Sequence, residues 1–109
     1  MIVSIPKGAG EIRPGEYRGD TELKRVIISD GVTHIGECAF QNCPVLERVD
    51  LPDGVRVIYP YAFAGCARLS SVTIPYSVTE IWNTAFKGCR SLDGETRKRV
   101  LEINQNAEF

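Results

Sequence analysis

The chain has 109 residues, of which 43% are apolar and 25% charged, with a formal net charge of -1. That length fits one domain, and the near-neutral balance gives no global electrostatic case for nucleic acid or an anionic membrane as partner. No apolar run reaches the ~18 residues that a membrane-spanning helix needs. The opening MIVSIPKGAG lacks the basic and apolar regions of a signal peptide. The chain as it stands is therefore expected in the cytoplasm, and at the cell surface or secreted if it is a trimmed piece of a longer protein.

Residues 1–22 look irregular until they are shifted by 23 positions. Val3 then falls on Val26, Ile5 on Ile28, Pro6 on the position of Pro52 and Pro75, Ala9 on Val32, Ile12 on Ile35 and Tyr17 on Phe40. Asp20 stands where later units carry cysteine. This reads as a degenerate first repeat, as terminal repeats of a stacked array usually are. Ile2, Val3 and Ile5 are expected to leave an apolar end with an open strand edge, which invites a homodimer through this uncapped N-terminal coil. Gly8 and Gly10 open no helix and make a poor phosphate loop.

Residues 23–45, 46–68 and 69–91 are three full repeats, in phase without an insertion, with Leu23, Leu46, Leu69 and Leu92 one period apart. Each opens with a strand-like segment whose apolar residues alternate: Val26 and Ile28, Val49 and Leu51, Val72 and Ile74. Between them Arg25, Ile27, Arg48, Asp50, Ser71 and Thr73 point outward. Asp-Gly or Pro residues then turn the chain. A second short extended run carries Val32 and Ile35, Val55 and Ile58, Val78 and Ile81. Ala-Phe follows in every repeat, and a short turn, 3-10 in type, brings in Cys43, Cys66 or Cys89. Those three cysteines occupy one column, which excludes an even disulfide framework and suits small buried residues with weak thiol donors. The frame breaks after Leu92. Asp93 is placed as the N-cap of an amphipathic helix within the cap 92–109, with Val100, Leu101 and Ile103 covering the last coil.

The frame Leu46-x-x-Val49-x-Leu51-Pro52-x-x-Val55-x-x-Ile58-x-x-x-Ala62-Phe63-x-x-Cys66, with its copies on either side, resembles the BspA-like leucine-rich repeat. The likeness spans residues 3–92. It implies a right-handed leucine-rich-repeat solenoid, mainly β, with a parallel sheet on the concave face. It also implies a non-enzymatic, protein-binding role, many such proteins being bacterial or protist surface proteins that bind host or matrix protein. Three settings stand: a scaffold for protein–protein interaction, a fragment of a surface adhesin, and, least supported, an enzyme.

Chemistry has little to work with. His34 is the only histidine. It lies near Cys38, but in the repeat frame both hold variable outward positions, which argues against a Cys–His dyad. Zinc needs four ligands, and no C-x-x-C is present; no metal or cofactor is expected. Binding is expected on the surfaces instead. One candidate is the outward row Arg25, Ile27, Arg48, Asp50 and Thr73, whose plain alternative is a solvated strand face. The other is an aromatic group of Tyr59, Tyr61 and Trp82, lying outside the repeat consensus. Its plain alternative is mutual stacking of Tyr59 on Trp82. Arg97, Lys98 and Arg99 read as a solvated helix face.

Overall fold

The computed structural model describes residues 2–5 and 10–109, apart from the side chain of Val3. The alternating segments form two parallel sheets. In the first, β1 (Ile2–Ile5), β3 (Arg25–Ile28), β5 (Arg48–Asp50) and β7 (Ser71–Thr73) pair in that order. In the second, β2 (Glu11–Ile12), β4 (His34–Ile35), β6 (Val57–Ile58) and β8 (Glu80–Ile81) do the same. The register is one repeat throughout: Val3 faces Val26, Val26 faces Val49, and Ile12 faces Ile35. Residues 2–5 and 10–22 thus enter the array as its first coil, as the 23-residue shift predicts. The placements of Pro6, Gly8 and Ala9 lie outside the described residues.

The core follows from the register. Identical positions stack, so each coil adds one rung to continuous ladders. Leu23, Leu46 and Leu69, Val26 and Val49, Ile35 and Ile58, and Phe40 and Phe63 are all fully or almost fully buried. Tyr17, Phe40, Phe63 and Phe86 form a single ring stack with centroids 5.2, 5.3 and 5.2 Å apart. Tyr17 ends this column half-buried, where a phenol tolerates solvent better than phenyl would.

The third side of each coil has no strand, so its backbone groups need other partners. They find them alternately. Ala62, Ala64 and Cys66 donate to carbonyls three residues back, Tyr59, Tyr61 and Phe63. The intervening Phe63 and Gly65 donate to Ala85 and Lys87 of the next coil, each at 2.8 Å. The turn therefore has bonds of 3-10 spacing without becoming a continuous helix. Gly19, Asn42, Gly65 and Gly88 share a left-handed column in this turn. Asn42 is the residue type that best replaces glycine there.

The cysteine column has its own reason. Cys66 Sγ donates to the Phe40 carbonyl at 3.0 Å, Cys89 Sγ to Phe63 at 2.9 Å, and Cys43 Sγ to Tyr17 at 3.2 Å. A small side chain with a donor satisfies a carbonyl of the preceding coil without opening a void. The hydrogen bond with Cys43 and then burial drive the Cys66 thiol up, and burial pushes Cys89 up to about 12. In the first coil Asp20 takes the cysteine position and accepts the Glu22 and Leu23 amides instead.

α1 (Gly94–Ile103) closes the far end. Asp93 is its N-cap and accepts the Thr96 amide at 2.8 Å. Val100 is fully buried and Ile103 packs against the core, whereas Leu101 is exposed, a departure from the expected apolar face. One turn of helix carries too few inward positions to use all three. The β7 and β8 edges at this end are met mainly by side chains. Thr96 Oγ1 accepts the Val72 amide, and Arg99 donates to the carbonyls of Ile74 and Pro75. Asn104 Nδ2 donates to the Ile81 carbonyl at 2.8 Å, and the Glu108 amide to Asn83. Arg97 and Arg99 are thus cap components and not a solvated basic face. Arg97 donates to the Leu92 carbonyl and lies over the Phe109 ring.

Candidate functional site

The first sheet presents its outward row in two columns. Ile2, Arg25, Arg48 and Ser71 form one, and Ser4, Ile27, Asp50 and Thr73 the other. Stacking two arginines directly above each other brings like charges together, which costs energy unless a carboxylate intervenes. Asp50 does so. Its Oδ2 accepts Nε and Nη2 of Arg25 at 3.3 and 3.0 Å, and its Oδ1 accepts Nε of Arg48 at 3.2 Å and the Thr73 hydroxyl at 3.1 Å. Partial burial acts to raise the Asp50 carboxyl's pKa, but the bonds from Arg25, Arg48 and Thr73 outweigh it and hold the group below its ordinary value.

The arrangement leaves a local excess of cation: two guanidinium groups share one carboxylate. Asp50 is largely covered, at 22% side-chain exposure, while Arg25 and Arg48 keep 40% and 50%. The arginines are oriented through one edge of their forks, and their remaining N–H donors make no hydrogen bond among the described residues. Ile27 is half-buried beside them and Ile2 is 64% exposed. Toward α1 the row ends in a groove of about 250 Å3 whose lining includes Ser71, Thr73, Glu95 and Arg99. The structure thus joins Arg25, Arg48, Asp50 and Thr73 in one network, with Ile27 at its side.

The aromatic candidates are not one stack. Tyr59 lies against His34, with ring centroids 6.0 Å apart at 23°, and not against Trp82. The His34 Nδ1 is hydrogen-bonded to Thr33 Oγ1 at 2.7 Å, which fixes the ring that Tyr59 leans on. Trp82 is 47% exposed in the Tyr59 column, one coil further on. Tyr61 is 38% exposed and has φ 60°, in the left-handed column of Gly15 and Cys38. Tyr76 lies under the Arg99 guanidinium at 5.0 Å and belongs to the cap.

Residue spacing alone misses a third feature. Tyr59, Gly36, Pro14, Glu11 and Glu37 line a notch of about 240 Å3 on the second-sheet side. Its signal was the lone Gly36 in the Tyr59 and Trp82 column. Among the described residues no group of three or more His, Cys, Asp and Glu is placed to hold a metal ion. Among the described residues no helix is long and apolar enough to cross a membrane.

Two parallel sheets joined by turns around stacked Leu, Val, Ile, Phe and Cys ladders define a β-solenoid of the leucine-rich-repeat class. The family model described as "BspA type Leucine rich repeat region (6 copies)" matches residues 2–107, and the chain belongs to that family. Solved structures agree. A leucine-rich repeat protein from Bacteroides ovatus is 29% identical with TM-score 0.79, the match covering 99% of this chain and 29% of that one. A leucine rich cell surface protein from Faecalibacterium prausnitzii is 28% identical with TM-score 0.61, covering 99% and 36%. The leucine-rich repeat protein of T. pallidum, at 17% identity and TM-score 0.54, shares the fold. The chain thus spans about a third of the first two proteins' length or less. Among curated proteins, no sequence matches it.

Proposed function

We propose that the chain is a non-catalytic module that binds another protein through the outward row of its first sheet. The observation that carries this reading is the Asp50 network. It spends one carboxylate to hold two neighbouring arginines, which stay 40% and 50% exposed beside Ile2 and Ile27. Pre-ordered arginines beside apolar side chains suit a protein partner carrying carboxylates, because less side-chain entropy is lost on contact. The corresponding face is the usual binding face of solenoids. His34 is engaged with Thr33 and Tyr59, which leaves little support for a catalytic pairing with Cys38. The likeness to a cell surface protein favours a surface setting, as part of a longer array, over an intracellular scaffold.

The test is affinity capture, from native lysate and from extracellular matrix, by three immobilised forms: wild type, Arg25→Glu/Arg48→Glu and Tyr59→Ala/Trp82→Ala. A partner held by wild type and by the aromatic variant, but lost with the arginine variant, is the expected result. A partner that survives the charge reversal would overturn the assignment of this face.

A further inference from the structure

We infer that the notch across the first three coils is a pocket for one basic side chain, preferentially arginine, of a partner protein. It lies on the second-sheet side, so it is additional to the face proposed above.

The notch follows from the repeat. Arg13, Gly36, Tyr59 and Trp82 hold one column. At Gly36 a Cβ would lie 2.5 Å from the Ile12 carbonyl oxygen and 2.7 Å from the Pro14 nitrogen, both backbone atoms that cannot yield cheaply. Only glycine fits, because first-coil backbone already fills the space a Cβ would take, so this rung of the column carries no side chain before its two large rings. Tyr59 and Pro14 both wall the notch beside it. The wall is held in place: Tyr59 rests on His34, His34 on Thr33, and Thr33 on the Gly10 carbonyl.

Charge selects the occupant. Glu11 and Glu37 both line the notch. Among the described residues neither joins an ion pair, whereas the nearby Arg13 is paired with Glu16. Among the described residues Arg18, lining the adjoining hollow of about 370 Å3, is the one cation in either lining. Two carboxylates beside an aromatic wall favour a cation over an anion or an apolar group. A guanidinium fits best, because its flat face stacks on a tyrosine ring while its edge meets carboxylate oxygens. At about 240 Å3 the notch is smaller than the ~300 Å3 at which drug-sized ligand pockets begin. It suits a side chain better than a free metabolite.

The experiment is an NMR titration of the ¹⁵N-labelled chain with the peptide acetyl-Gly-Arg-Gly-amide. Its citrulline counterpart, which keeps the shape and loses the charge, is titrated in parallel. Saturable shifts are expected at the Gly36, Glu37 and Tyr59 amides, with about fivefold weaker binding of the citrulline peptide. The Glu11→Gln/Glu37→Gln variant, with its spectrum still dispersed, is expected to lose that preference. Absence of saturable shifts at those amides, equal binding of both peptides, or shifts confined to the Arg25–Asp50 region would overturn the pocket. These readouts are independent of the capture experiment, so either proposal can fail alone.

Discussion

Asp50 is the residue on which the outward row turns. Its pKa is depressed in the folded chain, so its network stabilises the fold above the ordinary aspartate range. That contribution is lost as pH falls through the folded value. Asp50→Asn is expected to cost about 1 kcal/mol at neutral pH, small because the ion pairs are partly exposed. Urea unfolding of both forms checks this. The variant should also show a shallower loss of stability on acidification below the ordinary aspartate value. A stability difference that persists unchanged through that acid window would refute the network's role. Tyr61 presents the opposite case. Its left-handed backbone, φ 60°, is a conformation that glycine adopts far more readily. The side chain, 38% exposed, is carried at a cost to the fold and not for its benefit.

The element that decides stability is the C-terminal cap. A parallel sheet cannot simply stop, because its last strand exposes a row of amides and carbonyls over an apolar coil. α1 covers the coil with Val100 and meets the backbone groups with Thr96 and Arg99, joined by its C-cap Asn104. Truncation at Val100→Ala removes fully buried apolar volume and is expected to cost about 2 kcal/mol. Leu101→Ala, on the exposed side, should stay within about 0.5 kcal/mol. Thermal unfolding followed by circular dichroism separates the two. Equal losses would mean that the helix does not seat as described. The helix was legible in the sequence from Asp93 and the broken frame. Its seating was not, because Thr96, Arg99 and Asn104 act through where their polar atoms end up, and a hydrophobic period carries no such information.

At the scale of the whole molecule the two ends differ. The last coil is capped, while β1 and β2 are paired on one side only among the described residues. The expectation of an apolar N-terminal face needs correction. Ile5 and Ile12 are already buried, at 3% and 0% exposure, because the first coil folds over them; Ile2 stays exposed, and the side chain of Val3 lies outside the described residues. What the end offers is a hydrogen-bonding edge. Ile5 O accepts the Ser29 amide, so the Ile5 backbone faces β3 and that of Ser4 faces outward. For the 109-residue chain by itself, we propose that two copies pair along this edge. Sedimentation equilibrium should show a concentration-dependent dimer that Ser4→Pro, lacking the outward N–H, converts to monomer. A wild-type chain that stays monomeric at high concentration would exclude the pairing.

The sequence by itself determined the coil, the register and the core. A 23-residue period without insertions places Leu46 beside Leu23, Phe63 beside Phe40 and Cys66 beside Cys43. Parallel pairing at constant register then stacks like on like, and burial of each ladder follows from chemistry alone. Even the degenerate first coil was readable, because Ile12 and Tyr17 keep the phase. Only the tertiary structure decided how the variable positions use the surface. Arg25 reaches Asp50 across one strand and two positions, Tyr59 leans back on His34 instead of forward on Trp82, and Glu11 and Glu37 line one notch with Gly36. The period fixes the height and column of each such residue. The direction of a long side chain is set by the neighbours it meets in space, and those lie one coil away.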